Sequence, residues 1–391
     1  MRFLRSAILI CTLLIGVPQK SIRAQVKSKK DLLGQRNAVT SSVPFLTISP
    51  DARSAALGDA GVALSADANG AYWNAAKMAF IESDAGFSIS ATPWLRQLVP
   101  DVWVYYVSGY RKIGEKQRST LSGAIRHFTL GNIQFTDDFG SSLGNYEPYE
   151  TAISGNYATQ LSENFSVGVG LRFIVSDLAT GQISNNQEIK AGIAGAGDIG
   201  FFYSNDMEIG GRDWKISLGG NISNLGSKIS YTTKAERDYI PTNLRIGTAL
   251  SHEIDDYNTI TILADINKLL VPSPQWDDSL QNYYRKDVNV LTGVFQSFGD
   301  APAGFREELN ELTYSLGLEY WYDQQFALRA GYFHEHQNKG GRKFATIGTG
   351  LKMNKISVDA AYLIPFVQRH PLQGTVRFSL AVDLGLLDRP N

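Results

Sequence analysis

Thiols are almost absent from this 391-residue chain: its one cysteine, Cys11, lies close to the N-terminus, so neither a disulfide framework nor a cysteine metal site can hold the fold. Long apolar runs are also missing. After the first two dozen residues nothing approaches the ~18 uninterrupted apolar residues of a membrane-spanning helix. Charge is scarce, at 19% Asp, Glu, Lys and Arg with a formal net charge of −1, which leaves no electrostatic footprint for nucleic acid. What the chain has instead is glycine and aromatic rings, 37 Gly, 18 Tyr and 19 Phe. That composition with weak average hydropathy fits a membrane barrel, in which half of every strand faces water.

The N-terminus reads as a secretory signal peptide over residues 1–24. Arg2 and Arg5 precede an apolar run over 7–17, and Ala24 offers a small-residue exit. The run is about 11 residues, short of the roughly 20 that a spanning helix needs. Ile10 before Cys11 is not the small residue of a lipoprotein site, so the expected mature chain carries neither thiol nor lipid anchor.

Periodicity carries the fold class. Val376, Phe378, Leu380, Val382 and Leu384 alternate with Thr375, Arg377, Ser379, Ala381 and Asp383, one face fit for lipid and the other for an aqueous interior. The same dyad runs over 165–173 and 314–322. This template predicts strands over 84–91, 101–111, 119–128, 150–160, 165–175, 197–204, 214–222, 243–252, 258–266, 313–322, 326–334, 344–352, 356–363 and 375–384. About 14 strands is an even number, as a closed bacterial barrel requires. Compact links at 112–118, 161–164, 323–325 and 353–355 alternate with long ones at 129–149, 176–196, 223–242 and 267–312. A soluble sandwich or propeller would bury the aromatic face and lack that loop asymmetry. The expectation is an all-β membrane protein, a 14-stranded antiparallel transmembrane β-barrel over 84–391 in the outer membrane. Residues 25–83 precede it as a helical plug or, in the plainer reading, as a periplasmic cap that starts the domain. There Ser49 is placed to cap a helix with Pro50 at its first position, running to Leu57 and ended by Gly58; a second small-residue helix is expected over 71–80.

The segments 45–61 (FLTISPDARSAALGDAG) and 67–79 (DANGAYWNAAKMA) resemble the N-terminal signature of the PorV family, outer-membrane components of the type IX secretion system related to the FadL fatty-acid transporters. Relatives usually carry Asn-Pro after the tryptophan, whereas Asn74 is followed here by Ala75, which constrains the plug backbone less. The resemblance implies a non-enzymatic protein without cofactor or metal. It also implies that such a protein binds secreted cargo by a C-terminal signal domain and shuttles it from the translocon barrel to a sortase-like attachment complex, where cargo is joined to lipopolysaccharide.

The residues themselves indicate where binding could occur. The link 267–312, about 46 residues, exceeds the ~12–15 above which an irregular connection is usually functional or disordered. Its Trp276, Tyr283, Tyr284, Phe295, Phe298 and Phe305 are candidate anchors for cargo or partner, or else fold down as a lid. Trp94 and Leu95, in the first extracellular loop, could join that surface or, the preferred reading, sit in the interfacial aromatic girdle. The run Gly195-Ala-Gly197-Asp-Ile-Gly200 is a poor dinucleotide fingerprint, since a strand follows where a helix is required. His334 and His336 lack an evident third metal ligand. Arg172, Arg245, Arg329, Arg377, Asp198, Glu319, Asp359 and Asp383 fall on the inner phase of their strands and can pair with one another and with the plug to hold the lumen shut.

Three functions remain. A secretion shuttle needs a blocked lumen and an aromatic outer surface. A hydrophobic-solute transporter needs a greasy pocket above the plug and a lateral opening at a kinked strand. A lipid-modifying enzyme needs His and Ser side by side at the rim, near His127. The residues leave the first two level, and the family resemblance favours the shuttle.

Overall fold

The computed structural model describes residues 37–114, 116–136, 139–184, 187–232, 237–277, 282–367 and 370–385; the expected signal peptide at 1–24 lies outside them. Fourteen antiparallel strands close into one barrel. They are β1 (Ala85–Pro93), β2 (Trp103–Ile113), β3 (Ser119–Thr129), β4 (Tyr149–Gln160), β5 (Phe165–Asp177), β6 (Gly192–Glu208) and β7 (Asp213–Gly226). The second half is β8 (Asn243–Glu253), β9 (Asn258–Leu269), β10 (Leu312–Tyr322), β11 (Phe326–His334), β12 (Lys343–Met353), β13 (Ile356–Pro365) and β14 (Val376–Leu384). Closure is made by β1 on β14, in register from Ala85 opposite Leu384 to Ala91 opposite Phe378, which leaves no free sheet edge.

The dyad read from the sequence is the wall itself. Outward positions such as Ile89, Val107, Ile125, Ile153, Phe173 and Ile262 are exposed apolar side chains, the lipid-facing belt. Their neighbours along each strand are buried Ser88, Ser108, Ala124, Ala152, Ile174 and Leu263. All fourteen expected strands are present. β6 starts five residues before its expected position, and the whole Gly195–Gly200 run is extended strand, so no helix opens after it. Among the described residues no helix is long and apolar enough to cross a membrane.

Residues 37–83 run through the lumen. Two one-turn helices, α1 (Ala52–Ala55) and α2 (Gly70–Trp73), and a 3-10 turn over Ala75–Phe80 are nearly all buried. The cap of α1 is Asp51 and not Ser49: its carboxylate accepts from the Ser54 N–H (2.8 Å) and from Trp73 Nε1 (2.7 Å). Burial of Trp73 beside it decides between the two candidate caps. The expected second helix breaks at Asn74, whose extended backbone (φ −162°) begins a new cap on Ala76. Its amide nitrogen donates to Phe201 O in the wall (2.8 Å), a tertiary bond that local propensity does not encode.

The wall receives the plug at glycines. A Cβ on Gly168 would lie 2.4 Å from Ala76 N and one on Gly331 2.0 Å from Gly58 N. Only a hydrogen at these inner positions lets the two backbones meet.

Candidate functional site

The lumen below the extracellular mouth is closed by paired charges. Arg53 on α1 grips Glu319 through Nε (2.9 Å) and Nη2 (2.8 Å), and Glu319 also accepts from Arg329 Nε (2.7 Å). Arg329 reaches Asp359 (2.6 Å), Arg172 pairs with Asp198 (2.7 Å), and Arg377 holds Asp59 of the plug (3.2 Å). Bidentate guanidinium–carboxylate pairs of this kind need such geometry to offset desolvation. Seven of the eight inward charges named from the sequence therefore bond one another or the plug: those above, and Arg245 through Tyr72 (3.2 and 3.3 Å). Asp383 instead accepts from Tyr110 of β2 (2.9 Å).

Three plug-binding groups were missed. Arg53 is the lone basic residue of an Ala-rich turn, a signal that the sequence did carry. Asp265 accepts from the Gly61 and Val62 amides (2.7 and 2.9 Å), and Lys77 donates to Gly61 O (2.8 Å). Their roles depend on where the plug turns, which spacing does not give.

Above this floor stands the β9–β10 connection. It folds as a short hairpin, Gln275–Asp277 with Asn282–Tyr284, and two helices, α3 (Val290–Gln296) and α4 (Phe305–Asn310). Asn289 caps α3 by accepting from Thr292 N (2.8 Å). α4 opens at Gly304, φ +73°, a conformation natural to glycine. Its polar side is tied down. Lys268 binds Glu308 (3.0 Å) and Glu311 (2.7 Å), and Lys339 binds Glu307 (2.6 Å) and Glu311 (3.0 Å).

α4 holds its acids inward, and both helices turn apolar residues out. Leu291 and Phe295 on α3, and Phe305 and Leu309 on α4, are i,i+4 pairs and so share one face. Phe295 is 76%, Phe298 52% and Phe305 77% exposed. Tyr284 is also exposed, and Trp276 and Tyr283 are cross-strand partners in the hairpin. The three phenylalanines thus face outward and do not fold down as a lid.

Trp94 and Leu95 take another place. Both pack on the buried cluster of Phe333, Phe344, Leu363 and Leu372, and Arg377 lies over the Trp94 ring (5.9 Å). They belong to the inside of the mouth and not to the lipid-facing girdle. The girdle position at the loop end of β2 is held by Trp103 and Tyr105, stacked at 5.9 Å.

Glu307 links this site to pH. Burial alone would raise its carboxyl, but Lys339 and the Ala303 amide outweigh that and hold it below the ordinary carboxylate range. A depressed folded-state value means that the stabilisation is present at neutral pH and is lost as pH falls through it. Lys339→Met should loosen the start of α4 at neutral pH, as protonation of Glu307 does in the native protein. Trypsin cutting after Arg306 is the measurement; an unchanged cleavage rate in an intact barrel would show that the Lys339 pairs do not hold the helix, leaving those of Lys268.

A cavity of about 440 Å³ lies between plug and mouth. Its lining mixes charged side chains such as Asp59, Arg245 and Glu311 with apolar ones such as Val39, Trp73 and Phe333, so the space above the plug is not the uncharged greasy pocket that a hydrophobic-solute transporter calls for. His127 at the rim bonds Thr151 Oγ1 (2.8 Å). Among the described residues no cluster of His, Cys, Asp and Glu could hold a metal.

The sequence profile of the family described as type IX secretion system protein PorV matches residues 32–276, more than half of the chain. No curated protein matches the sequence. Among solved structures, the toluene transporter TodX of P. putida is 9% identical with a TM-score of 0.49, covering 86% of this chain and 98% of its own. A FadL homologue of Pseudomonas aeruginosa is 13% identical with a TM-score of 0.42, covering 86% and 99%. BamA from Haemophilus ducreyi lacking POTRA domains 1–3 is 9% identical with a TM-score of 0.35, covering 77% and 70%.

Proposed function

The chain belongs to the PorV family of type IX secretion proteins and is an outer-membrane barrel, and from that premise we propose that it is a cargo shuttle. In this reading it binds secreted proteins by their C-terminal signal domains at the extracellular mouth. It then passes them from the translocon barrel to the sortase-like attachment complex, working beside membrane lipid and lipopolysaccharide. Residues 1–24 would direct export, 25–83 would form the plug and 84–391 the barrel. The role is one of transport, and no catalytic residue, cofactor or metal is assigned.

One observation carries the reading: a sealed lumen below a rigidly mounted apolar surface. The plug bonds the wall at Glu319, Asp265 and Arg377, and α3, the turn after it and α4 present Phe295, Phe298 and Phe305 to solvent. Exposed aromatic patches of this kind mark protein or membrane contacts. Trp276, Tyr283 and Tyr284 extend the same loop. Trp94 and Leu95, packed inside the mouth, would shape it from below.

The test is recovery of partners from outer membranes in mild detergent, read by mass spectrometry. The native protein should bring down proteins with a common C-terminal domain and a large translocon barrel. Replacing Phe295, Phe298 and Phe305 together by serine should cut that recovery by about tenfold or more, given hot-spot losses of ~2 kcal/mol or above. Recovery of the native protein alone, with fatty acid bound, would replace this reading by the hydrophobic-solute transporter.

A further inference from the structure

The plug crosses the barrel in a single pass, and its partners give the direction. Asn37, the first described residue, donates to Pro274 O (3.3 Å) and to Glu307 of α4 (3.1 Å), both in the β9–β10 connection. Thr40 Oγ1 accepts from Arg285 of the same connection (3.0 Å), and Ser42 N donates to Tyr239 O of the β7–β8 connection (2.9 Å). Phe45 then stacks on Phe128 near the loop end of β3 (6.2 Å). Further in, Asp265 of β9 accepts from the Gly61 amide (2.7 Å) and Ser108 of β2 donates to Ala68 O (2.9 Å). At the far end Ser166 of β5 and Gln160 of β4, which flank the compact 161–164 turn, donate to Ala76 O (2.7 Å) and Ala79 O (3.0 Å). From Asn37 to Phe80 the chain therefore runs from the long extracellular connections to the short periplasmic turns.

We propose that the strap over 37–48 is a surface-exposed post: the chain from Asn37 on enters its barrel from the cell exterior, and the outer end of the strap holds the β7–β8 and β9–β10 connections over the mouth. Its two ends are fixed by different forces. Val43, Phe45 and Leu46 are at most 3% exposed and share one apolar cluster with Val104, Phe128 and Ile174 of the wall, and burial of such side chains is the dominant force that seats a segment. Outside Val43 the bonds are polar: Asn37 to Pro274 and Glu307, Thr40 to Arg285, and Ser42 to Tyr239 and Asp238 (3.2 Å). Hydrogen bonds at the surface exchange with water for little net gain. A pull on the loops from outside therefore breaks the outer bonds first and leaves the inner strap and the plug seated. Only the orientation of the barrel, with its long connections outside, enters this reading; the secretion role does not.

Labelling of single cysteines in intact cells tests the topology. With Cys11→Ala removing the one native thiol, Thr40→Cys should react with a membrane-impermeant maleimide as Phe298→Cys beside α3 does. Asp256→Cys, in the compact turn between β8 and β9, should react only once the cells are opened; Thr40 and Asp256 are both exposed. A recognition site for a specific protease, inserted between Thr40 and Ser41, then tests the post. Cutting it from outside the cell should speed trypsin cleavage after Arg306 several-fold, because Asn37 stays on α4 but is no longer joined to the core. Heat-modifiable migration on gels and the absence of ion conductance should persist, since Val43, Phe45 and Leu46 lie on the barrel side of the cut. Reaction of Thr40→Cys only in opened cells, or not at all, would overturn the topology, as would an inserted site that is cut only there. A cut strap with unaltered cleavage after Arg306, or one that lets ions through, would overturn the post.

Discussion

Glu319→Ala should unseat the plug. The carboxylate accepts from Arg53 on the plug and from Arg329 on the wall at 2.7–2.9 Å, and all three side chains are buried. Deleting one member of such a cluster costs about 3–5 kcal/mol, because the partners stay buried with their charge uncompensated. Asp67 and Asp359 still contact Arg53 and Arg329 (3.1 and 2.6 Å), so the two guanidiniums would be left sharing weaker acceptors and repelling each other across the plug boundary. The expected result is a lower unfolding temperature together with ion conductance in planar bilayers, against a silent native protein as control. Removing Arg53 as well should restore part of the lost stability, as coupled sites do. A silent Glu319→Ala variant of native stability would mean that the ion network does not hold the plug.

The strands were legible because two different solvents impose one pattern. Lipid outside and plug inside demand alternation along every strand, and the fourteen dyads survive without help from distant residues. Legibility failed where the side chains shrink. The first residues of β6 are Gly192, Ile193, Ala194 and Gly195, which carry little alternation. The structure explains them by close approach, since a Cβ on Gly192 would meet Ile229 at 2.8 Å. The break at Asn74 and the cap at Asp51 were hidden for a related reason. Each is decided by a partner far along the chain or across the lumen, Phe201 in one case and Trp73 in the other.

The site divides the same way. Exposed phenylalanines in a long loop stand out from sequence alone. The lysines that mount them, Lys268 and Lys339, lie outside α4, and nothing local ties them to Glu307, Glu308 or Glu311. Arg245 was readable as an inward charge. That it stacks on Tyr72 and Trp73 of the plug is visible only once the plug has folded against the wall.

A second substitution separates the role of an inner glycine from that of glycine in a strand. Gly331→Val in β11 replaces a poor strand former by a good one and on propensity alone should help. Its Cβ, however, would lie 2.0 Å from Gly58 N and 2.2 Å from Leu57 C. Both are backbone atoms, so no rotamer change relieves the clash. Overpacking costs about 1–3 kcal/mol where side chains can yield, and here the two backbones must part instead. The plug segment around Leu57 and Gly58 should lift from the wall, making 50–65 accessible to added protease and the barrel conductive. Gly155→Val is the matched control. Gly155 lies on the lipid-facing phase of β4 between Ser154 and Asn156, and a Cβ there meets nothing within 4 Å. It should leave stability within about 0.5 kcal/mol of native. If both variants stay closed and protease-resistant, contact between the plug and wall backbones is not what seals the lumen. If both open, strand glycines matter for the sheet and not for the plug. Opening by Gly331→Val alone would assign the seal to the inner surface, where the sequence has only a hydrogen to offer.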